Sequence, residues 1–195
     1  MGRYRKFAAL VGMMLWWQTP LAAETLPTVP SVDLQRYLGK WYEIASIPQF
    51  FQKQCVGDVT AEYAMEGDNI AVTNSCRTAN GERSVAHGQA RVVDKLSRSK
   101  LEVTFVNLFG WRYMFGGAYW IIDLAPDYHY AVIGHPDRTY AWILAATPSL
   151  PQQELVGIAA RMQANGYDTC ALLTTVQSGG GASRVPLCQA VSAER

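Results

Sequence analysis

From Leu38 onward the apolar residues recur at every second position in short runs, and the runs are separated by clusters of Gly, Asn, Asp and Pro. That period belongs to strands with one buried face. The first run is Leu38-Gly39-Lys40-Trp41-Tyr42-Glu43-Ile44-Ala45-Ser46-Ile47-Pro48. Gly39 lets the chain turn tightly into it. Alternation that points Trp41 inward also points Glu43, Ala45 and Ile47 inward and leaves Tyr42, Ile44 and Ser46 outside. An indole is large enough to plug the narrow end of a small barrel; the alternative is an ordinary buried Trp on an open sheet.

The same pattern continues through Val59–Ala64, a turn at Glu66–Asn69, and Ile70–Cys76. Asn80-Gly81 then marks a hairpin turn into a long strand from Arg83 to about Val93. One face of that strand is Ala86, Gly88, Ala90 and Val92, and the other carries His87, Gln89 and Arg91. A filled core would hold Leu, Ile or Phe on the first face, so its small residues leave room inside. Leu101–Phe105, Tyr119–Leu124, His129–Gly134 and Tyr140–Ala145 complete eight strands, and Pro148 stops the last. Before them, Pro27 and Pro30 make an extended leader, and Ser31 or Asp33 caps a short helical turn through Leu34 and Tyr37. After them, Pro151–Ala164 is the one convincing helix, with Leu155, Ile158, Ala159 and Met162 on one stripe. A short strand from Cys170 to Thr175 precedes a Gly/Ser-rich stretch, Ser178–Ser183. The expected fold is all-β, a sandwich or a closed barrel of eight strands, with one C-terminal α-helix and a short ninth strand.

The N-terminus changes where this barrel works. Arg3, Arg5 and Lys6 precede the apolar run Phe7–Trp17 and the small-residue exit Leu21-Ala22-Ala23, the three parts of a secretory signal peptide. Cleavage after Ala23 is expected, and no Cys follows to carry a lipid anchor. The expected organisation is residues 1–23 as signal, 24–178 as the barrel domain, and 179–195 as a flexible tail tied by a disulfide. Losing three cations takes the formal charge from +1 to about −2, which is no nucleic-acid footprint. No later run is long and apolar enough to span a bilayer. Cys55, Cys76, Cys170 and Cys188 are an even count in an exported chain, which implies two disulfides. Cys55–Cys76 with Cys170–Cys188 is favoured, because the first pair sits on neighbouring strands of one hairpin. Cys55–Cys188 with Cys76–Cys170 is the rival, and the sequence does not choose between them.

Catalytic chemistry is not indicated. There is no Gly-x-Ser-x-Gly elbow, no His-Glu-x-x-His and no glycine-rich phosphate loop. His87, His129 and His135 lack metal-ligand spacing. We expect no catalytic residues, metal or cofactor.

Eight strands, one helix and one further strand, opened by Tyr37-Leu38-Gly39-Lys40-Trp41-Tyr42-Glu43-Ile44-Ala45, resemble the lipocalin family, which implies an all-β fold: an eight-stranded antiparallel up-and-down β-barrel with one C-terminal α-helix and a short ninth strand. Within it the chain is similar to bacterial lipocalins of the apolipoprotein D-like group. The resemblance runs from about Val32 to Gln177 through Val59–Tyr63, Lys100–Phe105, Asp127-Tyr128 and Tyr140–Leu144. Gly39, Trp41, Asp127 and Tyr128 are its structural motif positions. The chain departs from the family at Ala146, where an arginine normally lies against the motif tryptophan; Arg138 and Arg161 are the candidate substitutes. Parity with Trp41 and the resemblance together place Tyr63, Ala90, Phe105, Tyr119, Tyr140 and Trp142 on the inner wall, each with ordinary core packing as its alternative. The resemblance implies a fatty acid or lysophospholipid ligand, with Trp111, Arg112, Tyr113 and Met114 near the mouth and Arg112 meeting an anionic head group. The competing role for that loop is a surface contacting nothing. The expected setting is the periplasm, with peripheral contact at the outer membrane and a monomer or weak dimer. The other function classes are an envelope interaction module and a lipocalin-type enzyme that uses the barrel as scaffold.

Overall fold

The computed structural model describes residues 25–192, so the expected signal peptide over 1–23 lies outside them. The elements run α1 (Leu34–Tyr37), β1 (Gly39–Ser46), β2 (Cys55–Glu66), β3 (Asn69–Thr78), β4 (Arg83–Val92), β5 (Lys100–Thr104), β6 (Gly117–Leu124), β7 (Tyr130–Gly134), β8 (Ala141–Ala145), α2 (Gln152–Ala164), β9 (Leu173–Thr174) and α3 (Leu187–Ala190). Each of β1 to β7 pairs antiparallel with its successor, and β8 returns to β1. The sheet therefore closes into an eight-stranded barrel, and β9 adds beside β1.

Two apolar clusters share this one wall. The inner cluster contains Trp41, Tyr63, Ile70, Val72, Ala90, Leu101, Ile121, Ile133 and Leu144. The outer one contains Ile44, Ile122, Val132, Ile143 and Ala145, covered by Leu155, Ile158, Ala159 and Met162 of α2. Strands buried on both faces read as continuous apolar runs instead of alternating ones. This is why Tyr130–Gly134 and Ile143–Ala145 carry no polar position, while β3 and β4, away from α2, do.

Trp41 plugs one end. It is 3% exposed, its indole N–H donates to Tyr37 O at 2.9 Å, and the two ring centroids are 5.0 Å apart. Gly39 enters the strand at φ +101°, a region that L side chains avoid. The Asp33 side chain caps α1 by accepting from Gln35 N at 2.9 Å, while its own N–H donates to the Tyr128 hydroxyl at 2.8 Å. Neither candidate arginine takes the place left by Ala146. Arg161 donates to Asp123 and Tyr130 on the outer side, and Arg138 donates to the Asn165 and Pro136 carbonyls. The cation that secures this end is Arg36, 4.1 Å over the Tyr128 ring and bonded to Pro126 O.

Strict alternation along β1 fails after Glu43. The register slips between Glu43 and Ala45, so that Glu43 faces Leu144, Ala45 faces Ile143 and Ser46 faces Trp142. This β-bulge inverts the parity beyond it. Ala45 and Ile47, expected inside, pack with the outer cluster, and Ser46, expected outside, donates to Glu43 Oε1 at 3.0 Å.

The last segment completes the wall at the other end. Thr175 N donates to Ile44 O, and the Gln177 amide bridges Glu43 O and Val59 O, wedging 173–177 between β1 and β2 where those strands diverge. The cysteines pair as Cys55–Cys76 and Cys170–Cys188. The stretch expected as a flexible tail contains α3, whose Leu187 is fully buried and whose Cys188 is tied to Cys170. The polar Gly179–Ser183 sequence concealed the apolar anchors beyond it, Leu187 and Val191.

Candidate ligand-binding site

The end opposite Trp41 is open. Its loops are 47–54, 79–82, 105–116 and 135–140, each joining the upper ends of two strands. A cavity of about 300 Å³ lies there, lined by Glu43, Ser46, Gln52, Val59, Leu173 and Thr175, with Lys53 and Arg184 at its lip. Glu43 is 5% exposed and accepts from Ser46, from Thr175 Oγ1 at 2.6 Å and from Gln52 Nε2 at 3.0 Å. The bulge creates this cluster, since it turns Ser46 toward the same side as Glu43.

An aromatic ladder descends from the rim. Phe50 meets Phe51 edge-on at 5.3 Å, Phe51 stacks on Tyr140 at 6.5 Å, and Tyr140 stacks on Trp142 at 6.0 Å. Trp142 pairs with Ile133 of the inner cluster, which fixes its side chain on the inner wall. Below it, Tyr119 shares hydrogen bonds with Tyr37 at 2.7 Å and Tyr63 at 2.9 Å. Burial raises all three phenols, Tyr63 to about 12 and the others well above their usual value. Tyr119 and Trp142 nevertheless keep accessible surface, which marks a hollow beside them.

The remaining wall positions differ from one another. Ala90 is buried between Ile70 and Val103. Phe105 lies beyond the end of β5 and is 44% exposed, with its ring against Gly88, where a Cβ would come within 2.8 Å of Cδ1 and Cε1. The room left by the small face of β4 is thus partly taken up by Phe105. Arg112 is exposed at the open end, where its Nε donates to Leu108 O. Tyr113 turns away from the hollow. Its hydroxyl donates to Gln89 Oε1 and its ring lies 4.2 Å beneath Arg91, both on the outward face of β4.

Sequence reasoning missed Asn74. It follows Ile70 and Val72 at inward parity on β3 and pairs with Ala61 and Ala86. Its Oδ1 is buried without a hydrogen-bond partner. The signal was a polar residue on an otherwise apolar alternation, flanked across both ladders by alanines. Among the described residues no group of three or more His, Cys, Asp or Glu is placed to hold a metal, and no helix is long and apolar enough to cross a membrane.

A closed eight-stranded barrel, plugged at one end, open at the other and covered by one outer helix, is the architecture of a carrier for a small apolar molecule. This chain belongs to the lipocalin family: a lipocalin-like domain matches residues 32–177. It is 31% identical over 166 residues to the outer membrane lipoprotein Blc of Escherichia coli, covering 83% of this chain and 88% of that protein. It is 34% identical over 164 residues to apolipoprotein D of Mus musculus, covering 78% and 80%. Among solved structures it superposes on insecticyanin from the tobacco hornworm Manduca sexta with a TM-score of 0.62 over 85% of this chain and 97% of that one, at 21% identity, a likeness of fold. Family membership implies binding of a small hydrophobic ligand.

Proposed function

We propose that this lipocalin holds a single-chain lipid, a fatty acid or a lysophospholipid, for storage or transport in the periplasm at the face of the outer membrane. The observation that carries the reading is the hollow beside Tyr119 and Trp142, reached from the rim by the Phe50–Phe51–Tyr140–Trp142 ladder. Each buried methylene contributes about 0.8 kcal/mol, so an alkyl chain in this space needs little polar help. The head group sits in the mouth cavity, where Lys53 and Arg184 offer cations. Chemical turnover is not part of the role.

Contact with a membrane has its own support. Phe50 is 72% exposed, Leu108 58%, Phe109 104%, Met114 82% and Phe115 62%, and all lie in loops of the open end. Exposed apolar side chains gathered at one place mark an interaction surface. Arg112 lies among them, as a lipid surface with anionic character requires. The E. coli relative is an outer membrane lipoprotein by name, which agrees with this placement.

The test is displacement of a fluorescent fatty acid from purified protein by octadecanoic acid and by a lysophospholipid of the same chain length. Both are expected to displace it, and Trp142→Ala is expected to weaken both. Failure of both lipids to displace the probe at any concentration below their micelle thresholds overturns the reading.

A further inference from the structure

We propose that His135 binds the anionic head group of the carried lipid through its free ring nitrogen, and that a proton from solvent joins that nitrogen as the lipid binds. This deepens the lipid-carrier reading and rests on it. Alternation along β7 places the residue. Ala131 and Ile133 belong to the inner cluster, and His135 follows them on the same face, one step beyond the strand's end. Its backbone N–H still donates to Tyr140 O, so the pairing with the β8 side reaches it. The imidazole lies 5.4 Å from the Tyr140 ring, which stacks on Trp142 of the inner wall. His135 therefore stands at the top of the aromatic ladder, where a chain held in the hollow gives way to its head group.

One edge of the ring is committed and the other is free. Nδ1 lies 2.5 Å from Asp137 Oδ1. That oxygen also accepts from Thr139 N at 2.9 Å and from Thr139 Oγ1 at 2.6 Å. Burial works against ionisation of Asp137, yet the bonds from Thr139 and His135 outweigh it and hold the carboxyl down at about 2. An ionised carboxylate only accepts, so Nδ1 carries the proton between them. The Asp137 N–H, 3.5 Å from the same nitrogen, is too distant to compete. Nε2 has no hydrogen-bond partner among the described residues. Asn74 Oδ1 is the one buried side-chain polar atom without a partner among those residues, so Nε2 keeps accessible surface. The side chain as a whole is 24% exposed.

A neutral ring that donates through Nδ1 can only accept at Nε2, and an acceptor repels an anionic head. A proton on Nε2 makes the ring a donor to that head, while Asp137 at the opposite edge balances its charge. The other groups packed around the ring leave it this part. Arg138 donates to Asn165 O and Pro136 O. The Tyr167 hydroxyl accepts from His135 N and donates to His135 O. From the 47–54 loop comes neutral Gln49, which donates to Thr139 O and lines the mouth cavity. The other two histidines are placed elsewhere. His129 is engaged at both nitrogens near the closed end, and His87 is on the outward face of β4 with Nδ1 against Thr73.

The test is titration calorimetry of the purified protein with decyl sulfate, decanoate and decanol below their micelle thresholds. It is run between pH 6 and pH 8 in buffers of different ionisation enthalpy, which reports the protons taken up on binding. Decyl sulfate cannot bind a proton itself, and Lys and Arg side chains are already cations in this range, so uptake with that ligand points to a histidine. The wild type is expected to take up protons with both anions, peaking at about one half per ligand, and none with decanol; linkage ties that peak to an affinity about tenfold weaker at high pH. A tenfold effect is within reach of one hydrogen bond to a charged group. His135→Phe, which keeps a ring against Tyr140, and His135→Gln are each expected to abolish the uptake and to lose more affinity for the anions at pH 6 than at pH 8. Asp137→Asn is expected to move the peak to lower pH, because the imidazolium loses its balancing carboxylate. The proposal falls if decanol binds and the anions bind without proton uptake, or if uptake persists in either His135 variant. It also falls if inorganic sulfate gives the same uptake, which would mark a site for free anions. If none of the three ligands binds the wild type, the carrier reading falls together with it.

Discussion

Phe109→Ser separates membrane docking from folding more cleanly than any other single change. The Phe109 side chain is 104% exposed at the tip of the β5–β6 loop, so the folded protein gains nothing from it. Surface changes of this kind stay within about 0.5 kcal/mol, and the thermal midpoint should move by no more than a degree or two. Burying a Phe in an acyl layer contributes about 1.5–3 kcal/mol, equal to roughly 10- to 150-fold in partition. The assay is co-sedimentation with vesicles containing an anionic phospholipid, at low and moderate salt. Phe109→Ser should weaken binding by that factor at both salt concentrations, because the lost term is apolar. Arg112→Ala should weaken it by about 1 kcal/mol at low salt only, because the lost term is Coulombic. Unchanged partition of Phe109→Ser would refute the docking argument. A large fall in its thermal midpoint would refute the exposure on which the argument stands.

Three other perturbations probe the scaffold. Gly88→Ala brings a Cβ to 2.7 Å from Thr104 O and 2.8 Å from the Phe105 ring, which should cost about 1–3 kcal/mol in denaturant unfolding; adding Phe105→Ala should restore only part, since the carbonyl remains. Replacing Cys170 and Cys188 by Ser opens a link across 18 residues and should cost roughly 3 kcal/mol, read as a lower denaturant midpoint with Leu187 of α3 released. His129 is held above its usual value by the hydrogen bonds it donates, to Asp127 first and Glu154 second. A raised folded value gives stability that is full below about pH 6.5 and lost as pH rises through the folded value. With a half-exposed ring its size is under about 1 kcal/mol, so the midpoint should fall slightly from pH 6 to pH 8 in the wild type, and His129→Asn should flatten that slope.

How far the sequence could be read depended on how local each determinant is. Strand periodicity, the Trp41 plug and the α2 stripe depend on residues near one another in the chain, and all are legible there. Parity beyond Glu43 was not, because the bulge at Ile44 is imposed by β8 and by the 173–177 wedge, both more than 90 residues away. Tyr113 was assigned to the mouth because its loop is at the mouth, yet the chain folds back so that Tyr113 covers Gln89 and Arg91 on the outside. Phe105 obeys its strand parity and still has another role, since what it packs against is the absence of a side chain at Gly88. Asn74 was overlooked because an Asn in a strand reads as solvent-facing until both neighbouring strands are in place.

The two ends of the barrel divide the work. At the closed end every polar device has a partner: the Trp41 indole bonds Tyr37, Asp33 bonds Tyr128, and Arg36 lies over Tyr128. Together with the α2 face, where Ile143, Ile158 and Met162 are at most 1% exposed, this end supplies the burial that stabilises the fold. The aromatic ladder and the exposed Phe109 lie toward the open end. A ligand that binds the folded barrel and not the unfolded chain stabilises the fold, so the empty barrel should be measurably less stable than the filled one. The midpoint should then rise with lipid concentration, and rise less in Trp142→Ala, whose weaker affinity lowers the gain at each concentration. A midpoint that stayed fixed at octadecanoic acid concentrations that displace the fluorescent probe would show that the displacement does not come from binding to the folded barrel.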